Sequence, residues 1–178
     1  MRIIGGKFSG RLINAPSNLS VRPTTDYAKS ALFNILNNRI DFEEVKVLDL
    51  FAGIGGVSME FVSRGAKHVT SVDLNFKCCA FIKETAAKFE VKNLSVIKSD
   101  VFKFIQACDL KFDIIFADAP FDLNETDSIP DLIFQKELLN ENGILIVEHQ
   151  AKRILQSHIN ANEIRKYGNC AFSIYGKM

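Results

Sequence analysis

Apolar residues along the 178-residue chain follow two different periods, and the change between them comes near residue 40. Ala28, Ala31, Leu32, Ile35 and Leu36 recur at the three- and four-residue spacing of an amphipathic helix. Thr24, Thr25 and Asp26 are good starting residues for it, and Asn37-Asn38 marks its end. Ahead of this helix, Ile3, Ile4, Leu12 and Ile13 flank Gly5-Gly6 and Ser9-Gly10. That pattern predicts a short β-hairpin or extended arm, then a loop over 16–23. From residue 45 short apolar runs alternate with helical stripes. Strands are predicted over 45–50, 68–72, 94–98, 112–117 and 144–148, with helices over 57–64, 77–89, 101–107, 130–139 and 151–158. Two short strands follow, over 164–167 and 171–175, hinged at Gly168-Asn169.

Strand, helix, strand at this spacing predicts an α/β fold with a mostly parallel, doubly wound sheet and helices on both faces. The run Ile114-Ile115-Phe116-Ala117 suits a strand buried on both sides. The two final strands, with only a turn between them, must pair antiparallel. Residues 1–40 are expected to form an N-terminal arm and helix, and 41–178 the sheet domain as one compact unit.

Composition alters little of this. A hydrophobic share of 47% and a charged share of 24% are ordinary for a soluble globular protein. No apolar run approaches the roughly 20 residues of a membrane helix, and the opening lacks a signal peptide's apolar stretch. A cytoplasmic protein without membrane contact is the expectation. Cys78, Cys79, Cys108 and Cys170, with His68, His149 and His158, show no metal-ligand spacing, so no metal is expected. Charge is more telling once divided. Residues 1–39 hold six basic side chains (Arg2, Lys7, Arg11, Arg22, Lys29, Arg39) against Asp26 alone, while the whole chain carries only +1. A basic end on an otherwise acidic chain suggests contact with a polyanion such as nucleic acid.

The predicted strand ends carry a consistent chemistry, and ligands of open α/β sheets bind there. The first strand runs into Asp49-Leu50-Phe51-Ala52-Gly53-Ile54-Gly55-Gly56, where Gly53 and Gly55 permit a tight turn close to a ligand. The second ends at Asp73, the third is followed by Asp100, and the fourth by Asp118. A dinucleotide fingerprint would need glycine where Ser58 stands. Asp49 is a poor neighbour for a pyrophosphate but suits a cationic or zwitterionic ligand. S-adenosylmethionine matches: Asp49 would meet its amine directly or through water, Asp73 its ribose hydroxyls, and Asp100 its adenine amino group. Phe51, Leu74 and Val101 are expected along the same rim.

Asp118-Ala119-Pro120-Phe121 is similar to the [Asp/Asn]-Pro-Pro-[Tyr/Phe] motif of amino-group methyltransferases. An exocyclic base amine is a weak nucleophile because its lone pair is delocalised into the ring. A carboxylate at Asp118 and a carbonyl held by Pro120 can accept the amine's hydrogens and aim the lone pair, while Phe121 stacks on the base. These four residues are the candidate catalytic set.

With these motifs in place, nearly the whole chain resembles the bacterial 16S ribosomal RNA guanine-N2 methyltransferases of the RsmD type. The resemblance rests on Arg2-Ile3-Ile4-Gly5-Gly6-Lys7, Gly10-Arg11, Arg22-Pro23-Thr24-Thr25-Asp26 and Ala31-Leu32-Phe33-Asn34-Ile35-Leu36. It continues through the glycine loop, Ser63-Arg64-Gly65-Ala66, Tyr167-Gly168 and Ile174-Tyr175. It implies a Rossmann-like class I methyltransferase fold and transfer from S-adenosylmethionine to guanine N2 in small-subunit ribosomal RNA, within an assembling ribosomal subunit. It also implies a monomer whose Arg2, Lys7, Arg11 and Arg22 grip RNA phosphates. Two departures stand out: Ala119 replaces the motif's first proline, and the glycine loop continues as Gly55-Gly56-Val57-Ser58. The alternatives are a noncatalytic RNA-binding relative, suggested by Ala119, and a DNA amino-methyltransferase. The latter is disfavoured because no separate target-recognition domain is visible.

Overall fold

The computed structural model describes residues 1–16, 19 and 26–176. Seven strands form one sheet in the order β3-β2-β1-β4-β5-β7-β6. They are β1 Lys46–Leu50, β2 His68–Asp73, β3 Leu94–Lys98, β4 Phe112–Asp118, β5 Leu139–Gln150, β6 Glu163–Tyr167 and β7 Cys170–Tyr175. The helices are α1 Asp26–Asn37, α2 Gly56–Ser63, α3 Phe76–Lys88, α4 Val101–Ala107 and α5 Ile129–Gln135. Strands β1 to β5 pair in parallel, and the closing hairpin adds β7 antiparallel to β5 and to β6. The direction of winding reverses between β1 and β4, which places a crevice at their carboxyl ends. This is the mixed, doubly wound, Rossmann-like sheet that the hydrophobic pattern predicts.

Alternation along the strands sorts side chains into two cores. Val47, Val69, Ile114, Phe116, Ile144, Ile146, Phe172 and Ile174 face α1, α2 and the N-terminal arm. Leu48, Leu50, Val72, Ile115, Ala117, Leu145, Val147 and Tyr175 face α4 and α5. Strands buried on both faces explain why the central segments read as unbroken apolar runs.

The arm belongs to the first of these cores, since Ile3, Phe8 and Ile13 are buried in it. Its hairpin is reduced to one antiparallel bridge, Arg2 with Leu12, around a 3-10 turn at Gly6–Phe8. Ile3 N–H donates to the Arg11 carbonyl at 3.0 Å and Ile13 N–H to the Met1 carbonyl at 2.8 Å across it, and the paired arm docks onto α2. Both oxygens of the fully buried Glu60 accept backbone N–H groups of the arm, from Ile4 at 2.8 Å and Gly5 at 2.7 Å. Ser63 Oγ donates to the Gly5 carbonyl and accepts from Phe8 N–H. At Gly6, φ is +74° and a side chain would collide with the Ser63 carbonyl, so glycine is required there. Lys29 is also fully buried; its Nζ donates to the Arg2 carbonyl and lies 4.0 Å from Glu60.

Two sequence expectations need correcting. The helix predicted over 130–139 stops at Gln135, because Glu137 takes φ +52° and Leu139 already pairs with Phe112 as the start of β5. No helix forms over 151–158. Asp131 of α5 accepts from Ser157 Oγ and from the backbone N–H of His158 and Ile159, and Arg153 reaches the loop after β4, so long-range bonds hold this segment open. The predicted cap Thr24-Thr25, most of the loop over 16–23 and Arg22 lie outside the described residues. Among the described residues, no helix is long and apolar enough to cross a membrane.

Candidate active site

The crevice is a cavity of about 970 Å³. Every parallel strand end contributes to its wall: Phe51 and Gly53 after β1, Asp73 to Asn75 after β2, Asp100 to Phe102 after β3, and Asp118 to Phe121 after β4. Glu148 of β5, the β6–β7 turn and Tyr27 with Ala28 of α1 complete it. Four of its lining residues are carboxylates (Asp73, Asp100, Asp118, Glu148) and none is a lysine, arginine or histidine, among the described residues. Such a wall attracts a cationic ligand and repels a pyrophosphate. No group of three or more His, Cys, Asp or Glu side chains among the described residues is placed to hold a metal ion.

The cavity brings most of the expected cofactor residues together. Asp73 Oδ2 accepts the Gly53 N–H at 2.7 Å and Oδ1 accepts the Asn75 N–H at 2.8 Å, so the carboxylate is held rigidly against the glycine turn. Asp100 caps α4 through Lys103 N–H at 3.0 Å while lining the cavity. Phe51, Leu74 and Val101 line it too, and Phe51 holds φ +60°, a left-handed conformation that carries strain in a non-glycine residue.

Asp49 and Gly55 are placed differently from expectation. Neither lines the cavity. Asp49 shares the sheet face of Val47, where α2 packs, and is 2% exposed. Its carboxylate accepts from Ser58 Oγ, which lies 2.6 Å from Ser71 Oγ. The carboxylate expected to meet a ligand's amine directly or through water is thus held in the core by Ser58. Gly55, at φ +77°, makes room for a helix in place of a ligand: a Cβ there would stand 2.8 Å from Ile82 of α3.

Burial pushes the Asp49 carboxyl up to about 7; the neighbouring charges of Asp118 and Asp73 add to this and the Ser58 hydrogen bond opposes it. An unfolded aspartate ionises near 3.9. The folded state therefore holds the proton longer as pH rises, and the stability tied to that proton is full below about pH 4 and lost as pH rises through about 7. Asp49→Asn, which keeps an acceptor for Ser58, should match the wild type near pH 4. By pH 8 it should be more stable by on the order of 2–4 kcal/mol. Urea unfolding between pH 4 and 8.5 measures this; a constant difference across that range would contradict it.

At the catalytic motif, Asp118 ends β4 on the α1–α2 face, and Ala119 is 3% exposed in the opposite core, where its small side chain fits. The Pro120 carbonyl accepts the Leu123 N–H at 2.9 Å, closing a tight turn that presents Phe121 at the cavity wall. Sequence reading missed the clamp on this turn. Arg153 donates to the Leu123 carbonyl at 3.3 Å and to the Phe121 and Asn124 carbonyls at longer range, and pairs with Asp127 at 3.0 Å. It also missed Tyr27, Glu148 and Tyr167, which come from distant elements; the Tyr27 and Tyr167 rings meet edge to face, centroids 6.3 Å apart.

On the basic arm, Arg2, Lys7 and Arg11 are exposed, with Arg11 over the Phe8 and Phe89 rings at 5.4 and 5.1 Å. Of the other basic residues counted there, Lys29 is buried, and Arg39 bonds Glu163 at 2.8 Å.

Sheet order, strand-end cavity and Asp118-Ala119-Pro120-Phe121 define a Rossmann-like methyltransferase, the class that uses S-adenosylmethionine. The acidic, cation-free wall fits that cofactor. The family model described as conserved hypothetical protein 95 matches residues 1–176, and the chain belongs to this family, the RsmD family. YlbH of Bacillus subtilis (strain 168), provisionally described as an rRNA methyltransferase, is 32% identical over 99% of each chain. Ribosomal RNA small subunit methyltransferase D of Escherichia coli (strain K12) is 28% identical over 85% of this chain and 76% of its own. Among solved structures, Escherichia coli yhhF, provisionally described as a methyltransferase, superposes with a TM-score of 0.84 at 26% identity, covering 98% of this chain and 96% of that one.

Proposed function

We propose that this protein transfers a methyl group from S-adenosylmethionine to the exocyclic N2 amine of a guanine in small-subunit ribosomal RNA, presented within an assembling subunit. The observation that carries the reading is the cavity wall itself: Asp118 and Phe121, held by a clamped turn, adjoin an acidic pocket built around the glycine turn and Asp73. S-adenosylmethionine supplies an electrophilic methyl on a sulfonium. Asp73 takes the ribose hydroxyls, Asp100 the adenine amino group, and Phe51, Leu74 and Val101 the apolar surface of the ring. Asp49 acts from beneath the glycine turn, through its hydrogen bond with Ser58 of α2.

Asp118 accepts a hydrogen of the target amine, which turns the lone pair out of the ring plane and toward the methyl. It also balances the positive charge that grows on nitrogen as the N–C bond forms and the C–S bond to the departing thioether, S-adenosylhomocysteine, breaks, and it takes the proton that the methylated amine sheds. The Ala119 carbonyl takes the second hydrogen, and Phe121 stacks on the base. The names of the relatives support ribosomal RNA as the substrate class. Labelled S-adenosylmethionine incubated with small subunits lacking the modification tests the reading: label should enter the RNA. Cofactor binding with no transfer would overturn it in favour of a noncatalytic RNA-binding protein.

Arg2, Lys7 and Arg11, with Arg22, are assigned to the RNA backbone. Changing Arg2, Lys7 and Arg11 together to glutamine should weaken RNA binding and flatten its salt dependence by roughly 0.7–0.9 log units per lost phosphate contact. Filter binding between 50 and 300 mM salt (roughly, the range where this term dominates) reads the slope. An unchanged slope would remove the arm from the interface.

A further inference from the structure

Glu148 is the carboxylate in the cavity that the cofactor reading does not use. It is the direct register partner of Asp118 across the parallel β4–β5 pair. Neighbouring strands stand roughly 4.8 Å apart. Alternation from Ile144 and Ile146 puts Glu148 on the same face as Asp118, and it lines the same cavity while only 6% exposed. Cys170 reports both groups: burial first, then the charges of Glu148 and Asp118, pushes its thiol up to about 11. Two carboxylates therefore stand side by side on the cavity wall.

We infer that Glu148 is a specificity-determining residue that selects guanine by accepting the ring N1–H, beside an Asp118 that accepts the N2 amine. The inference rests on the guanine-N2 reading above and deepens it. The reasoning is one of donors and acceptors. Guanine's Watson–Crick edge carries two adjacent donors, N1–H and the N2 amine, which match two adjacent carboxylates. Adenine and cytosine place an acceptor ring nitrogen directly beside their exocyclic amine. In either case a lone pair would face Glu148 in a site sheltered from water, where unmatched polar groups are most costly. An amide at position 148 would remove this bias, because it can turn its NH2 toward a ring nitrogen.

The probe is 2-aminopurine, which keeps the amine at C2 but has an unprotonated N1. Small subunits are reconstituted with 16S RNA carrying either guanine or 2-aminopurine at the position the wild-type protein methylates. Transfer is then measured as kcat/KM for wild type and Glu148→Gln. A site built around a substrate N–H rejects the analogue lacking it strongly, so the wild type should favour guanine by about 10³-fold or more. Glu148→Gln should bind S-adenosylmethionine as the wild type does, lose most of its activity on guanine, and narrow the preference to roughly tenfold or less. An equal loss on both substrates, leaving the ratio unchanged, would reduce Glu148 to a structural role and overturn the inference. Should Glu148→Gln fail to fold, the wild type alone still decides: comparable rates on guanine and 2-aminopurine would overturn it. Failure of the guanine-N2 reading looks different, since wild type would then transfer no methyl to guanine at all.

Discussion

Asp118→Ala is expected to lower kcat by roughly 10²–10⁴-fold while leaving the affinity for S-adenosylmethionine within about twofold. The size follows from what the side chain does. The target amine has no free lone pair until its hydrogens are taken by acceptors outside the ring plane, and in the proposed reaction Asp118, at the end of β4, is the charged acceptor. Alanine leaves the Ala119 carbonyl but removes the charge that balances the developing cation. The cofactor wall at Gly53, Asp73 and Asp100 belongs to other strand ends, so binding should persist. Asp118→Asn separates the two contributions, since it retains an acceptor without the charge. It should fall between the wild type and alanine. Stopped assays for turnover and calorimetry for binding measure the two quantities. A matching loss of cofactor affinity would move Asp118 out of the base site and into the cofactor site.

The second large effect concerns stability. Glu60→Ala should destabilise the protein by about 3–5 kcal/mol, the range for removing one partner of a buried charged pair. Glu60 is fully buried and serves four groups at once: the N–H of Ile4 and Gly5, the Arg64 guanidinium at 3.0 Å, and the Lys29 ammonium at 4.0 Å. Without it, Lys29 stays inside the core with Asp26 at 3.6 Å as its acidic partner among the described residues, and burial already holds its pKa below the usual lysine value. The arm loses both N–H acceptors as well. Arg64 stacks its guanidinium on Phe33 at 4.6 Å, so some of its anchoring survives. Urea unfolding reads the total, and hydrogen exchange at Ile4 and Gly5 reads the arm. Protection unchanged at those amides would show that Glu60 does not hold it.

Much of the fold was legible because the central strands are buried on both faces, which leaves continuous apolar runs such as Ile114 to Ala117. The failures were where distant partners override local pattern. The stripe over 151–158 looks helical, yet Arg153 and the acceptor Asp131 draw that segment across to the loop after β4 and to α5. The N-terminal segment read as a short hairpin or extended arm, and it pairs through Arg2 and Leu12; what the sequence could not show is its anchor Glu60, some 55 residues away. Asp49 was legible as a strand-end carboxylate, but its burial against Ser58 depends on where α2 packs. Glu148 escaped notice for the same reason: only the β4–β5 register reveals that it stands beside Asp118.

The proposed reaction is methyl transfer to guanine N2 through Asp118. Nucleoside analysis of small-subunit RNA, after incubation with S-adenosylmethionine and either the wild-type protein or Asp118→Ala, tests it most directly. The wild type should yield N2-methylguanosine at one mapped position, and the variant should leave that guanine unmodified. Methylation of any other base, or equal yield from both proteins, would contradict it.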